Sequence, residues 1–351
     1  MSEPRIHHYL SQCYLKGFTK DSNKKSKLTV IDLKSKKHFE TVPRNVGGVR
    51  DFNRLDIPDG DPNHIEKELS KFENVLAKSL EQLELTKDFS GETRDNILYF
   101  MALINIREPM ARKFSSNSLS KINNWADIWP LGPEGVLEAQ KKIIFEASSE
   151  HQMISDSEIL NLLGSGFFNE FSSYSLSLFG MDVSLENIPA LSPHDLSELN
   201  SLMEKKLSKQ LLTMVAEFAF VKFFHDAFKK RDWILLDATD CSDEFITTDL
   251  AIYIDKPSLN DKSDIPPSEY TISEAMVIFP ASKNMCLMTS DEGGKSTISA
   301  NSELIAELNS YMMCNTYGRV FSSSLNFYLL NKSRQLISGA YFLEKISDAS
   351  G

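Results

Sequence analysis

Two adjacent histidines, His7 and His8, stand near the start of a 351-residue chain. Imidazole changes charge near neutral pH, so it can act as a general base, a phosphate contact or a metal ligand. In an extended segment neighbouring side chains point to opposite faces. One histidine can then face a site while the other packs or orients, and both do not readily ligate one metal. The same spacing fits a packed pair, with one ring capping a turn and the other satisfied in the core.

A carboxylate offers a second kind of chemistry. Asp249 follows residues 245–248, which read as a strand, and strand ends present polar groups to clefts. Ten acids fall between Asp237 and Glu274, against only Lys256 and Lys262. Clustered carboxylates can hold a hard divalent ion, Mg or Mn, for phosphodiester hydrolysis, with Asp249 as the metal ligand. They can equally form an acidic surface that pairs with basic residues elsewhere. Arg107 and Arg112 flank Pro109 at the end of an apolar helix, and Arg suits bidentate contact with phosphate or carboxylate. A structural pairing of Arg107 with Glu66 or Glu73 is the alternative, since a buried guanidinium must be paired.

Familiar fingerprints are missing. There is no GxxxxGK[ST], GxGxxG, GxSxG or HExxH, and Gly164-Ser165-Gly166 and Gly293-Gly294-Lys295-Ser296 read as turns. The four cysteines form no CxxC pair, which argues against a zinc finger and a disulfide framework. Apolar residues at 41% and charged residues at 25% fit a folded globular chain, not collagen, coiled coil or wholesale disorder. No apolar run is long enough to span a bilayer, and no leader segment is evident, so a cytoplasmic protein away from membranes is expected.

Charge is uneven along the chain. In residues 1–50 eleven Lys and Arg stand against four acids, a surplus of +7 in a chain of net charge −11. Lys24, Lys25, Lys34, Lys36 and Lys37 are the candidate binding residues for a polyanion such as nucleic acid. A solvated hairpin, or one lying on the protein's own acidic surface, fits the same composition.

These residues need elements to hold them. Residues 27–33 and 38–42 read as a β-hairpin, and residues 43–62, rich in Pro, Gly, Asp and Asn, as a loop. Asn63 with Glu66 has the spacing of a capping box, and Ile65, Leu69, Phe72, Leu76, Leu80 and Leu83 line one helical face. A second helix starts near Ser90 and is apolar nearly all round up to Arg107. Residues 133–148 and 155–163 read as short helices, and Ser192 opens a long one that runs to Lys230. From Asp232 the period changes to strands, at 233–236, 244–248, 251–254, 275–279, 285–288 and 319–322, with a loop at 256–268 and a late helix at 301–315. The expected fold is α+β: a basic N-terminal hairpin segment (1–62), a mainly helical region (63–231) and a mixed or antiparallel sheet region (232–351), together one compact unit.

The opening stretch, His7-His8-Tyr9-Leu10-Ser11-Gln12-Cys13-Tyr14-Leu15-Lys16-Gly17-Phe18, resembles the signature of the bacterial domain of unknown function family 4238. Similar features follow in the same order. They are Val30-Ile31-Asp32, Pro43-Arg44-Asn45-Val46, Asp51-Phe52, the helix ending at Arg107, Phe245-Ile246-Thr247-Thr248-Asp249, Phe279-Pro280-Ala281-Ser282 and Asn309. Ser11 stands where the family has Pro, and Leu250-Ala251 where it has Asn-Pro. The family has no established activity, but some members are phage-defence proteins. The resemblance therefore implies an antiviral effector. Its chemistry would be that of a metal-dependent phosphodiesterase or nuclease using His7, His8, Arg107 and Asp249. A non-catalytic module that recognises a phage component or nucleic acid is the other class. The enzyme requires His8, Arg107 and Asp249 around one cleft; the binding module does not.

Overall fold

The structure, a computed structural model, describes residues 5–54, 62–107, 109, 112, 221, 224–255, 275–290 and 296–348. The helices read at 133–148, at 155–163 and from Ser192, the loop at 256–268 and both Gly-Ser turns lie wholly or mostly outside those residues. Within them the fold is α+β.

The strands β1 (Ile6–His8), β2 (Leu28–Asp32), β3 (Lys37–Thr41) and β4 (Gly48–Arg50) come first, with a one-turn helix α1 (Gln12–Leu15) between β1 and β2. Helices α2 (His64–Thr86) and α3 (Gly91–Ile106) follow. The later strands are β5 (Asp232–Asp237), β6 (Thr247–Thr248), β7 (Tyr253–Ile254), β8 (Val277–Pro280), β9 (Met285–Ser290) and β10 (Ser296–Ser299). Helix α4 (Ser302–Cys314), strands β11 (Arg319–Ser322), β12 (Tyr328–Leu330) and β13 (Leu336–Ser338), and helix α5 (Gly339–Asp348) complete the order.

One sheet runs β10-β5-β9-β8-β7, mixed because β10 lies parallel to β5 while its other pairs are antiparallel. Both of its faces are covered. Leu235, Phe279 and Leu287 point toward α2 and α3, while their neighbours Leu236, Ile278 and Cys286 join the core under α4. The period-two alternation of a strand thus feeds two cores, and β8 is buried along its whole length.

The other sheet, β3-β2-β11-β6, is antiparallel and refines the sequence reading. The basic hairpin is not a separate arm. Its inner strand, β2, is buried from Leu28 to Ile31 and pairs with β11 from near the other end of the chain. A β-branched strand buried on both sides needs a hydrogen-bonding neighbour on each edge, and the hairpin alone supplies one.

Tyr14 welds the N-terminal motif to the sheets. Its ring is fully buried and stacks on Phe279, with Phe18 and Phe100 against it. Its hydroxyl donates to the Pro280 carbonyl at 2.9 Å and accepts from Thr247 Oγ1 at 2.7 Å. Tyr14→Phe keeps the rings and strands both partners, so it is expected to cost about 1–3 kcal/mol. Urea unfolding measures this as a lower midpoint at unchanged slope, and an unchanged midpoint would contradict the assignment.

Candidate functional site

The site begins with a two-stranded ribbon. β1 pairs antiparallel with β4, placing His7 opposite Val49 and His8 opposite Gly48. The loop expected at 43–62 therefore carries a strand, which is too short and glycine-rich to show a period. Gly47 makes the closure possible: its φ is +66°, and a Cβ there would lie 2.9 Å from Leu10 Cβ. Its carbonyl takes the N–H groups of Tyr9 and Leu10.

The two histidines do face opposite ways. His7 is fully buried, and its Nδ1 accepts the backbone N–H of Asn53 at 2.8 Å, which leaves the ring proton on Nε2. His8 is half-buried and its Nε2 lies 3.2 Å from the Arg44 carbonyl. Donating there leaves Nδ1 of His8 as the basic nitrogen. Burial lowers the His8 pKa below the ordinary imidazole value, outweighing the Arg44 carbonyl and Glu66, so the neutral ring is favoured.

Asn53 is the centre of the polar network. Its side-chain oxygen accepts from Arg107 Nη2 at 2.8 Å and from Arg112 Nη1 at 3.4 Å. Its amide nitrogen donates to Glu66 Oε2 at 2.6 Å. Arg112 also donates to the Phe52 carbonyl and lies over the Phe52 ring, 3.7 Å from its centroid. Arg107 thus reaches Glu66 through an amide. Glu66 is engaged by Asn53, not by a capping box, and the Asn63 side chain makes no cap bond to α2.

Above this network lies a cleft lined by His8, Tyr9, Ser11, Glu73 and Arg107, with Leu69, Phe72, Phe100, Leu103 and Ile104 as apolar walls. Its enclosed part is small, about 10 Å³, room for about one water molecule, so a ligand would meet its mouth and not its interior. Glu73 has its pKa raised by burial, opposed by a hydrogen bond from Ser11 and by the charges of Arg107 and Lys24. An imidazole pushed down and a carboxyl pushed up share one cleft, and displaced pairs of this kind mark acid–base sites.

Asn53, Ser11 and Glu73 are absent from the sequence reading as site residues. Glu73 had a signal. It sits four residues after Leu69 and three before Leu76, a charge on the apolar stripe of α2. Asn53 had none beyond following Asp51-Phe52 in a loop.

Asp249 does not meet these residues. Its Oδ1 accepts from Thr316 Oγ1 at 2.6 Å and Tyr317 N–H at 2.9 Å, and its Oδ2 from Arg319 N–H at 3.1 Å. It shapes the turn that enters β11, and it is not among the cleft-lining residues. Three of about four carboxylate acceptor positions are occupied, which disfavours the expected metal-ligand role. Ala251, where the resemblance would place Pro, has φ +59° and donates its N–H to the Thr248 carbonyl, and a proline can do neither. Other acids in the cluster are also held locally, Asp237 by Lys87 and Thr239, and Glu244 by Lys283 and Ser323. Among the described residues no group of three or more His, Cys, Asp or Glu is arranged to hold a metal.

The lysines do not form one patch. Lys24 and Lys25 precede β2, whereas Lys34, Lys36 and Lys37 surround the turn after it, about 17 Å away along a five-residue strand. Lys16, Lys20 and Lys27 are neutralised by Glu81 and Glu40. Lys24 is tied to the cleft through its charge on Glu73.

A family model described as Protein of unknown function (DUF4238) matches residues 6–326, nearly the whole chain. No curated protein and no solved structure matches it.

Two measurements test the network. Asn53→Ala leaves Glu66 and Arg107 without their shared amide and is expected to cost about 3 kcal/mol or more in chemical unfolding. A cost below about 1 kcal/mol would remove Asn53 as the hub. The second is pH dependence. The unfolded chain binds a proton at the ordinary His value, and the folded site resists it until lower pH. Stability therefore falls as pH drops through that window. His8→Gln is expected to flatten this part of the stability curve relative to the parent, and an identical slope would contradict the burial effect.

Proposed function

We propose, for a chain that belongs to the DUF4238 family of proteins of unknown function, an antiviral effector that hydrolyses phosphodiesters by acid–base chemistry at His8, Glu73 and Arg107. The observation that carries this reading is one cleft lined by His8, Glu73 and Arg107, in which burial lowers the imidazole's pKa and raises the carboxyl's.

Each group has one task. Nδ1 of His8 takes a proton from water as its oxygen bonds to phosphorus. The protonated Glu73 gives its proton to the departing oxygen as that P–O bond breaks. Arg107, fixed by Asn53, faces the charge that grows on the non-bridging oxygens. The enclosed part of the cleft holds about one water, so the scissile phosphate would sit at its mouth and the rest of a nucleic acid outside it, toward Lys24. His7 orients the ribbon and touches no reactant. A cytoplasmic site of action accords with this role, and among the described residues no helix is long and apolar enough to cross a membrane.

The second reading is a non-catalytic module that binds nucleic acid or a phage component through Lys24, Lys25, Lys34, Lys36 and Lys37. It is favoured by the failure of Asp249 to join the cleft.

The test follows degradation of single-stranded RNA and plasmid DNA by purified protein across pH, with and without Mg or Mn, beside phage plating. A bell-shaped pH profile is expected, together with losses of about 10²-fold in rate for soluble His8→Ala and Glu73→Gln. Phage protection should fall with the rate. Protection retained by both variants but lost on charge reversal of the lysines would reject hydrolysis in favour of binding. Activity that requires Mg or Mn and disappears in Asp249→Ala would restore the metal site.

A further inference from the structure

We propose that the exposed face of the β1–β4 ribbon, with Ile6, Gly48 and Arg50 beside His8 and Arg44 at its edge, is the platform on which a single-stranded nucleic acid lies while one of its phosphates meets the cleft. The inference rests on the phosphodiester reading above and names the surface that holds the substrate.

The register builds this face. Residues directly opposite each other in an antiparallel pair share a face, and so do alternate residues along one strand. Ile6 opposes Arg50 and His8 opposes Gly48, so these four positions lie on one face, with His7 and Val49 on the other. The glycine matters, because a Cβ at 48 would lie 2.8 Å from Ile6 Cγ2 and 3.4 Å from His8 Cδ2. Both side chains therefore flank a position that has no side chain of its own, and the three form a shallow notch with His8 at one end. His8 also lines the cleft, so the notch continues into the cleft mouth. The enclosed part of the cleft has room for about one water, so a bound ligand must rest on surface outside it. Ile6 stands about 7 Å from His8 along the strand, within reach of the nucleotide next to the scissile phosphate.

Charge and exposure select the occupant. Ile6 is 52% exposed, and the Arg50 side chain opposite it is 65% exposed. Arg5 holds both oxygens of Asp51, through Nε at 3.1 Å and Nη2 at 2.5 Å, while Arg50 approaches the same carboxylate through Nε at 3.5 Å. One carboxylate thus faces two guanidiniums, and a positive charge is left over. Arg44 is exposed, and its carbonyl lies 3.2 Å from His8 Nε2. Over residues 5–8 and 44–54 four arginines stand against Asp51 alone, 4 minus 1 or +3, in a chain of net charge −11. Glu66, a further acid acting on His8, is engaged by Asn53. Guanidinium planes pair with phosphate and stack on bases, and an apolar side chain between them suits the face of a base. An unpaired base presents that face, whereas a duplex hides it and offers mainly phosphate. The arginines of the ribbon, not the lysines of the β2–β3 hairpin, are the cations placed beside the imidazole.

The experiment uses the full chain carrying Glu73→Gln to stop cleavage. Fluorescence anisotropy follows binding of a labelled single-stranded RNA, the DNA of the same sequence and the DNA duplex across a salt series. Both single strands are expected to bind more tightly than the duplex. Arg44→Gln with Arg50→Gln is expected to weaken single-strand binding about 10-fold and to make the salt dependence shallower by about 1.4 in log–log slope, two phosphate contacts being lost. Ile6→Ser is expected to give a smaller loss that does not change with salt, because an apolar contact is not screened. All three side chains are exposed, so folding is expected to be kept; if the double variant has a lower unfolding midpoint, Arg50→Gln alone carries the test with half the change in slope. Unchanged affinity in the folded arginine variants, a duplex bound as tightly as the single strands, or loss confined to charge reversal of Lys34, Lys36 and Lys37 would overturn the inference. Binding that depends on Arg44 and Arg50 in a parent chain that cleaves no strand would uphold the platform and remove the hydrolysis instead.

Discussion

The molecule's site depends on one buried amide. Asn53 has no exposed surface, yet a backbone imidazole contact, two guanidiniums and a carboxylate converge on it. A bare ion pair in such a place loses several kcal/mol per charge to desolvation, and it survives only when the remaining donors and acceptors are satisfied. An amide solves this because it is donor and acceptor at once. Its oxygen meets Arg107 and its nitrogen meets Glu66, so opposite charges are joined through a neutral group with fixed geometry. The same residue's N–H fixes the His7 ring. Through His7 it fixes the β1–β4 ribbon, and through the ribbon the orientation of His8. The ribbon, α2 and α3 are thereby tied at one point.

That dependence explains what could be seen in the sequence and what could not. Helices α2 and α3 were legible because their apolar stripes are long, and the strands from Asp232 onward because their period is two. Ends were less so: residues 244–248 yield only the two-residue β6, since Glu244 turns to Lys283 and Ser323 instead of extending the strand. Strands β4, β10, β12 and β13 run only three or four residues, too short to show a period, whereas helix α5 does carry an apolar stripe, at Phe342, Leu343 and Ile346, that went unread. The pairing of β2 with β11, nearly 300 positions apart, leaves no local mark at all. Site residues followed the same division. His7, His8 and Arg107 were legible as chemical types, and their opposite-face geometry followed from strand alternation. Asn53 was not, because an asparagine in a loop is the commonest kind of turn residue, and only tertiary structure distinguishes a hub from a turn.

Asp249 is the converse case. A carboxylate at a strand end reads as a metal ligand, but three donors from residues 316–319 already claim it. Strand-end acids serve turns as readily as ions, and the deciding fact is the number of N–H groups within reach. The chain spends Asp249 on entry to β11, the strand that receives the N-terminal hairpin. Its role is therefore to join the first and last parts of the chain.

The acid–base poise of the cleft comes mostly from burial, and this ties chemistry to packing. Phe72, Phe100, Leu103 and Ile104 line the cleft, and Phe100, Leu103 and Ile104 also belong to the main core. Removing water around His8 disfavours its cation, and removing water around Glu73 disfavours its anion, so one apolar wall displaces both in opposite directions. No dedicated charge is needed for either shift. Arg107 and Lys24 act against the displacement of Glu73, and the Arg44 carbonyl and Glu66 against that of His8. The polar groups thus limit what the apolar walls impose. A cleft tuned this way responds to any change in core packing beneath it, because water admitted along Phe72 or Phe100 would relax both groups toward their ordinary values together.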